Sequence, residues 1–454
     1  MNIHKYILFF WILLSCLLHS KENRPNIILI MADDLGVETM GSYGGTSYRV
    51  PNLDRLAENG ARFEHCYSQP ICTPSRVQIM TGKYNVRNYT KFGVLPRSET
   101  TFAHLLKEKG YATCIAGKWQ LGSEKDAPQY FGFDESLLWQ HIGSGRKVID
   151  AKRIDKRYEN PVLQRNGNNI EYNNGEFAPD LMVEFISKFI RKNKEQPFLV
   201  YYPMILTHCP FVPTPHSENW NPDSLGSESY KGDERYFGDM VEYVDYLVGK
   251  IEKVLEENDI IDNTYLIFTG DNGTDRTVVS DFNGYSFPGR KGTMTDGGTR
   301  VPLIVSCPGK IKSSVNKNLI DFSDFLPTFC EIAKVKLHVE NTILDGRSFL
   351  PQLLGHSSVP RDYVYCWYNR DMEPGKTKAT ARDQRYKLHL NGDFYDTELD
   401  RMEVNPLKIK MLTTAQVNIY KKLESVLDYY AQFDSLKTSD SDKGKIDAQL
   451  KEIL

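Results

Sequence analysis

Two short acidic runs and one cysteine carry most of the chemistry available to this sequence. Asp33 and Asp34 follow the apolar run Asn26 to Met31, and Asp271 and Asn272 follow Tyr265 to Thr269. A single acidic pair behind a strand is ordinarily a turn or a helix cap. Two such sets behind two buried strands read as a ligand set. Hard carboxylate and amide oxygens, without His or Cys at metal spacing, favour Ca²⁺ or Mg²⁺ over zinc. The cysteine is Cys72, in CTPSR at residues 72–76. Thr73 suits an N-cap and Pro74 the first helical position, so a helix through SRVQIMTGK would turn its amino end toward Cys72. Free N–H groups and partial positive charge at that end favour an anion, and Arg76 lies one turn in. On spacing alone, Cys72 reads first as a buried structural thiol.

Three cations sit at comparable places. Lys118 and His208 follow apolar runs, and Lys291 lies in Arg290-Lys291-Gly292 ahead of the segment DGGTRVP. Each alone reads as a surface charge or a satisfied polar group. Converging on one crevice with a divalent cation and a helix amino end, they would bind and activate a tetrahedral oxyanion ester.

The elements that must position these residues alternate. Strands are expected at 26–31, 111–116, 198–202 and 265–269, the first continuously apolar as a strand buried on both faces is. Between them lie amphipathic helices with Leu181, Phe185 and Phe189 on one face, and Met240, Val244, Leu247, Ile251 and Val254 on another. Such alternation predicts an α/β fold, a large mostly parallel central sheet flanked by helices, with the ligand beyond the carboxyl ends of the strands. Residues 143–178 have no clear period and read as an insertion or long surface loop. Their Lys147, Lys152, Arg153, Lys156 and Arg157 read as a solvated face. Beyond about residue 356, short segments at Tyr363–Trp367, Tyr386–Leu390 and Phe394–Asp396 predict a small antiparallel sheet, with a helix from Thr414 to Tyr430. The expected organisation is therefore a signal at 1–20, a catalytic domain at 24–355, a C-terminal subdomain at 356–435 and a polar tail at 436–454.

The 454 residues are 40% hydrophobic and 25% charged, ordinary for a globular chain, and the net charge of −3 gives no general pull toward nucleic acid or anionic membrane. The N-terminus has Lys5 and then an apolar run from Tyr6 to Leu18, too short to span a bilayer comfortably, as in an export signal. Within it, Leu13-Leu14-Ser15-Cys16 resembles a bacterial lipobox, which would leave Cys16 lipidated. Cleavage nearer Ser20 and an uncleaved anchor are the alternatives. The expectation is an exported bacterial protein, periplasmic or lipid-anchored at the outer membrane, touching membrane only through Cys16. Eight cysteines without CxxC pairs predict neither a zinc site nor a disulfide scaffold, and most read as buried thiols.

The joint presence of ADD, CTPSR, GKWQLG, THCPF, GDNG and GGTRVP resembles the type I sulfatases of the alkaline phosphatase superfamily, over roughly residues 25 to 430. The resemblance implies that a maturation enzyme oxidises Cys72 to formylglycine. Its hydrate would attack the sulfur of a sulfate ester and then release sulfate by collapsing to the aldehyde, a route that Ser or Thr lacks. It also implies one Ca²⁺ held by Asp33, Asp34, Asp271, Asn272 and the oxygen at position 72. Arg76 would hold the diol, Lys118 and Lys291 the sulfate oxygens, and His208 the departing alcohol, while Asp271 would help deprotonate the nucleophile.

One residue departs from the pattern: Gln120 stands where the family commonly has histidine. Glutamine hydrogen-bonds but does not shuttle a proton near neutral pH, so its effect is expected on diol orientation or substrate fit. The expected substrate is a sulfated saccharide, with Trp139, Trp220, Trp367 and Tyr368 available to stack on sugar faces. The alternatives are a phosphate or phosphonate ester hydrolase of the same superfamily and an inactive relative that binds sulfated glycans.

Overall fold

All seven residues of the strand Asn26–Ala32 are buried. Side chains alternate across a strand, so an unbroken apolar run is satisfied only where both faces are covered. Ile28, Ile30 and Ala32 enter one core and Ile27, Leu29 and Met31 another, on opposite sides of the sheet. This computed structural model describes residues 24–436 apart from 140, 142–145, 150–151 and 338–342. The expected signal at 1–20 with Cys16, and the tail from residue 437, lie outside the described residues. Among the described residues no helix is long and apolar enough to cross a membrane.

The central sheet has eleven strands: β1 (Asn26–Ala32), β2 (Ala61–Tyr67), β3 (Ala112–Lys118), β4 (Glu135–Trp139), β5 (Val162–Arg165), β6 (Asn168–Glu171), β7 (Phe198–Pro203), β8 (Thr264–Gly270), β9 (Arg300–Val301), β10 (Leu303–Ser306) and β11 (Ser314–Asp321). Their order is β9-β2-β10-β8-β1-β7-β3-β4-β5-β6, with β11 along the other side of β2. The central five, β8 through β4, run parallel. Antiparallel strands flank them at β10 and β5. Helices α1 (Pro51–Asn59), α2 (Cys72–Thr81), α3 (Phe102–Glu108), α4 (Ala178–Asn193), α5 (Phe237–Glu257) and α6 (Phe325–Ile332) cover the sheet. One face packs against α1, α4 and α5, and the other against α2, α3 and α6. The α/β fold expected from the sequence is the one observed.

Two expectations need correction. Residues 143–178 are not simply a surface loop: β5 and β6 extend the sheet edge, and Lys152–Asp155 pairs with Arg146–Ile149. Nor is their basic cluster a solvated face throughout. Lys152 is exposed, but Lys156 and Arg157 are buried, because the chain folds back over the end of β4. In the C-terminal subdomain, β12 (Val364–Tyr368), β13 (Lys378–Arg382), β14 (Tyr386–His389) and β15 (Phe394–Asp396) form an antiparallel sheet under α7 (Thr414–Ala431). The strand β13 has no counterpart among the expected segments.

Buried ion pairs fasten this subdomain to the larger sheet. Arg361 donates to Asp324 at 2.7 and 2.9 Å. Lys387 bridges Asp296 and Glu403, at 2.5 and 2.8 Å. Removing one partner of a buried pair strands the other charge, so Arg361→Ala is expected to cost about 3–5 kcal/mol of stability, read from urea-unfolding midpoints. A loss below about 1 kcal/mol, the level of an exposed pair, would show that this seam does not hold the subdomain.

Candidate active site

The parallel register of β1 and β8 sets Ala32 opposite Gly270, so the polar residues that follow each strand emerge side by side. The two ends are knitted together: the Asp271 N–H donates to the Ala32 carbonyl at 2.8 Å, and the Asp34 N–H to Asp271 Oδ1 at 3.0 Å. Asp34 adopts φ of 61°, a left-handed conformation that a short polar side chain tolerates. On the other side, β3 brings Lys118 in as its last residue. Gly117 makes that approach possible: it has φ of 129°, and a Cβ there would lie 1.9 Å from the Pro203 carbonyl oxygen.

Helix α2 is buried along all ten residues and begins at Cys72 itself. Thr73 is not its cap, contrary to the expectation. Pro74 is tolerated anywhere in the first turn, where an N–H has no partner to lose. Ser75 closes the turn instead, accepting from the Gln69 N–H at 3.0 Å and donating to Ile71 O at 3.1 Å. Thr73 Oγ1 accepts from the Gly93 N–H at 3.1 Å and lies 3.4 Å from Gln120 Oε1. Cys72 Sγ therefore sits 3.4 Å from Asp33 Oδ1 and 3.9 Å from Asp34 Oδ1.

The cations close around this group. Arg76 donates to Asp271 Oδ2 at 2.8 Å and to the Lys118 carbonyl at 3.1 Å. Lys118 donates to both oxygens of Asp33, at 2.8 and 3.1 Å, and Lys291 to Asp34 Oδ2 at 2.6 Å. Lys291 is held by its own loop, where its N–H donates to Thr274 O and that of Gly292 to Pro70 O. His208 places Nε2 3.7 Å from Asp34 Oδ2, while Nδ1 faces the Cys209 carbonyl and the Arg157 guanidinium.

Burial works against every charge here, and the neighbours decide the outcome. It pushes Asp33 up, but Lys118, His208, Arg76 and Lys291 outweigh it and hold the carboxyl well below the usual range. Asp34 is raised by burial, with Lys291 opposing and Asp33 reinforcing. Asp271 is pushed up to about 7, by burial and then by Asp33, against Arg76. The Cys72 thiol is raised by burial and by the charges of Asp271 and Asp33. Burial, Lys291 and Arg157 hold His208 neutral.

Burial holds two of the carboxyls above their ordinary range even with a cation beside each. Asn272 adds an acceptor: its Nδ2 donates to Asp34 Oδ1 at 2.8 Å, while its buried Oδ1 has no partner among the described residues. Ligand atoms of Asp33, Asp34, Cys72 and His208 lie within 4.8 Å of one another. The oxygens of Asp271 already accept hydrogen bonds, yet each keeps a further lone pair. Hard oxygens, an orphaned amide carbonyl and raised carboxyls fit a divalent oxygen-seeking cation.

In front of Cys72 opens a pocket of about 340 Å³. Gln120, Trp139, Arg157, His208, Lys291 and Arg370 are among the residues that line it. Trp139 is thus at the site, but buried beneath the Arg157 guanidinium at 4.1 Å. Trp367 packs on Tyr89 in the subdomain core and Trp220 on Phe177, both away from the pocket lining. Arg157 and Arg370 were not among the site residues expected from the sequence. The one sequence signal for Arg157 is its neighbour Tyr158, an aromatic in a charged stretch.

The Sulfatase family model matches residues 25–335, and that of the N-sulphoglucosamine sulphohydrolase C-terminal region matches residues 289–431. Arylsulfatase A of Homo sapiens is 31% identical over 403 residues, covering 81% of this chain and 75% of its own. N-acetylgalactosamine-6-O-sulfatase of Bacteroides thetaiotaomicron is 28% identical, covering 76% and 79%. The solved structure of Ps i-CgsB in complex with k-i-k-neocarrahexaose superposes with a TM-score of 0.73 at 25% identity, over 94% of this chain and 98% of that one. The chain belongs to the sulfatase family, and it is a sulfuric ester hydrolase.

A cation bound only by the folded site stabilises the fold by mass action. Ca²⁺ added to chelator-treated protein is therefore expected to raise the thermal midpoint, and Asn272→Ala and Asp34→Ala to abolish the rise. A midpoint indifferent to Ca²⁺ in the wild type would contradict the ligand set.

Proposed function

We propose that this sulfatase removes sulfate from a sulfated carbohydrate with a formylglycine made from Cys72, assisted by one Ca²⁺. The observation that carries this reading is the state of Cys72. A thiol held protonated by burial and by the charges of Asp271 and Asp33 is a poor nucleophile, although it stands at the head of α2, where negative charge on an attacking atom would be favoured. A cysteine there makes chemical sense as a precursor. The sulfur stands in for the oxygens of the mature residue, whose hydrated aldehyde would supply the attacking hydroxyl and the route by which sulfate leaves.

Asp33, Asp34, Asp271 and Asn272 would hold Ca²⁺, which would polarise a sulfate oxygen and offset developing negative charge. The chain's own residues do the rest. Arg76 clamps Asp271 and turns its buried, unpartnered Nε toward no competing acceptor among the described residues. Lys291 lines the pocket, where it would neutralise a sulfate oxygen, and Lys118, which donates to Asp33 and is not in the pocket lining, would add positive charge from behind that carboxylate. His208 presents Nε2 to the site, and an arriving sulfate would bring the negative charge that favours its protonation ahead of alcohol departure. Gln120 touches Thr73 and the pocket, where it would orient rather than transfer protons.

The names of the relatives, N-acetylgalactosamine-6-sulfatases among them, support a sulfated sugar as substrate. Because all ten residues of α2 are buried, the maturation enzyme would have to read CTPSR before folding. Export, which residues 1–20 motivate, would bring the enzyme to polysaccharide outside the cytoplasm.

The test is turnover of para-nitrophenyl sulfate and para-nitrophenyl phosphate by the matured, Ca²⁺-loaded protein. Preference for the sulfate is expected, with Cys72→Ala lowering kcat by about 10³-fold or more. Faster phosphate hydrolysis, or activity that survives Cys72→Ala, would contradict the proposal.

A further inference from the structure

Lys118 and Lys291, two of the site's cations, are tied to carboxylates at 2.8 and 2.6 Å. Arg157 and Arg370 are not paired in this way, although both line the pocket. Among the described residues, Asp155 stands 3.9 Å from Arg157 and Asp371 stands 3.8 Å from Arg370, both beyond hydrogen-bond distance. Arg157 is 3% exposed, and its Nε is buried without a partner among the described residues. Among the described residues no carboxylate lines the pocket. A buried cation without a matched anion is costly, so Arg157 reads as a side chain retained for something it binds; Arg370 faces solvent at the pocket mouth and carries no such cost.

The two guanidiniums share one feature, a ring beneath them, although Arg157 is buried and Arg370 is exposed. Arg157 lies on the Trp139 ring at 4.1 Å, and Arg370 over Phe92 at 4.6 Å. Stacking on a ring fixes the plane of a guanidinium and leaves its edge to make paired hydrogen bonds with a carboxylate or sulfate. Arg157 enters from the segment after β4 and Arg370 from the subdomain just past β12, so the two reach the pocket from separate parts of the chain.

We propose that the pocket selects sugars carrying a second anionic group beside the sulfate that is removed, a carboxylate or a further sulfate, bound by Arg157 and Arg370. This rests on the sulfatase reading and adds the substrate class. Arg157 also touches Cys209 O and His208, so a purely structural role would lower all activities together. Selectivity between substrates separates the two cases.

The matured, Ca²⁺-loaded full chain would be assayed on matched pairs: mono- against disulfated N-acetylgalactosamine and glucosamine, and a sulfated uronate disaccharide against its carboxyl-reduced form. Para-nitrophenyl sulfate serves as the reference without a second anion. The wild type is expected to favour the doubly anionic member by about tenfold or more in kcat/KM, the scale of one charge-assisted paired contact. In Arg370→Ala and Arg157→Ala that ratio should collapse toward unity, chiefly through KM, with Arg370→Lys retaining part of it. The arm showing the preference identifies carboxylate or sulfate as the group bound. Equal rates on both members of every pair, or variants that lower both in proportion, overturn the inference and leave the sulfatase reading standing. No turnover of any sulfate ester, the aryl one included, overturns both.

Discussion

Three carboxylates forced together and buried from bulk solvent govern the architecture of this site. The register that sets Ala32 opposite Gly270 leaves Asp33, Asp34 and Asp271 no way to avoid one another. Like charges at such range repel by several kcal/mol even at an effective dielectric near 20, about 4 kcal/mol at ~4 Å. Arg76, Lys118 and Lys291 answer that repulsion one for one. The answer is incomplete, since Asp34 and Asp271 stay above their ordinary range. Burial, the first cause of both raised carboxyls, leaves oxygens shut off from solvent that would suit a divalent cation.

The rest of the fold serves this cluster. Parallel strands deliver acidic residues from β1 and β8 and a lysine from β3 to one edge of the sheet. Helix α2, buried throughout, sets Cys72 over Asp33 and Asp34 and returns Arg76 beneath them one turn later. The loop carrying Lys291 runs on into Asp296, which is gripped by Arg382 and Lys387 of the C-terminal sheet. The subdomain thus braces a loop of the site as well as contributing Arg370 to the pocket wall.

Much of this is legible in the residues themselves. The apolar runs at 26–31, 198–202 and 265–269 are unbroken because both faces are covered, so strands and their polar ends could be placed by eye. The start of α2 was harder, since Pro74 is equally at home at several first-turn positions and the turn is closed by Ser75 rather than Thr73. Arg157 is barely legible, with Tyr158 beside it as its one signal. Its neighbours Lys152 and Lys156 share its charge, and only the fold decides that Arg157 lies on Trp139 while Lys152 meets solvent. The strand β13 was hidden for a related reason: Lys378 and Arg382 give its ends the look of a surface loop, yet Ala379 to Arg382 are buried.

The central claim is that Cys72 is the precursor of the working group rather than a resting thiol. Mass spectrometry of the Cys72 peptide, from actively hydrolysing protein purified from its native host, tests this most directly. An aldehyde in place of the thiol is expected at that position, reactive toward a hydrazide probe. A peptide carrying only unmodified cysteine, in a preparation that hydrolyses sulfate esters, would contradict it.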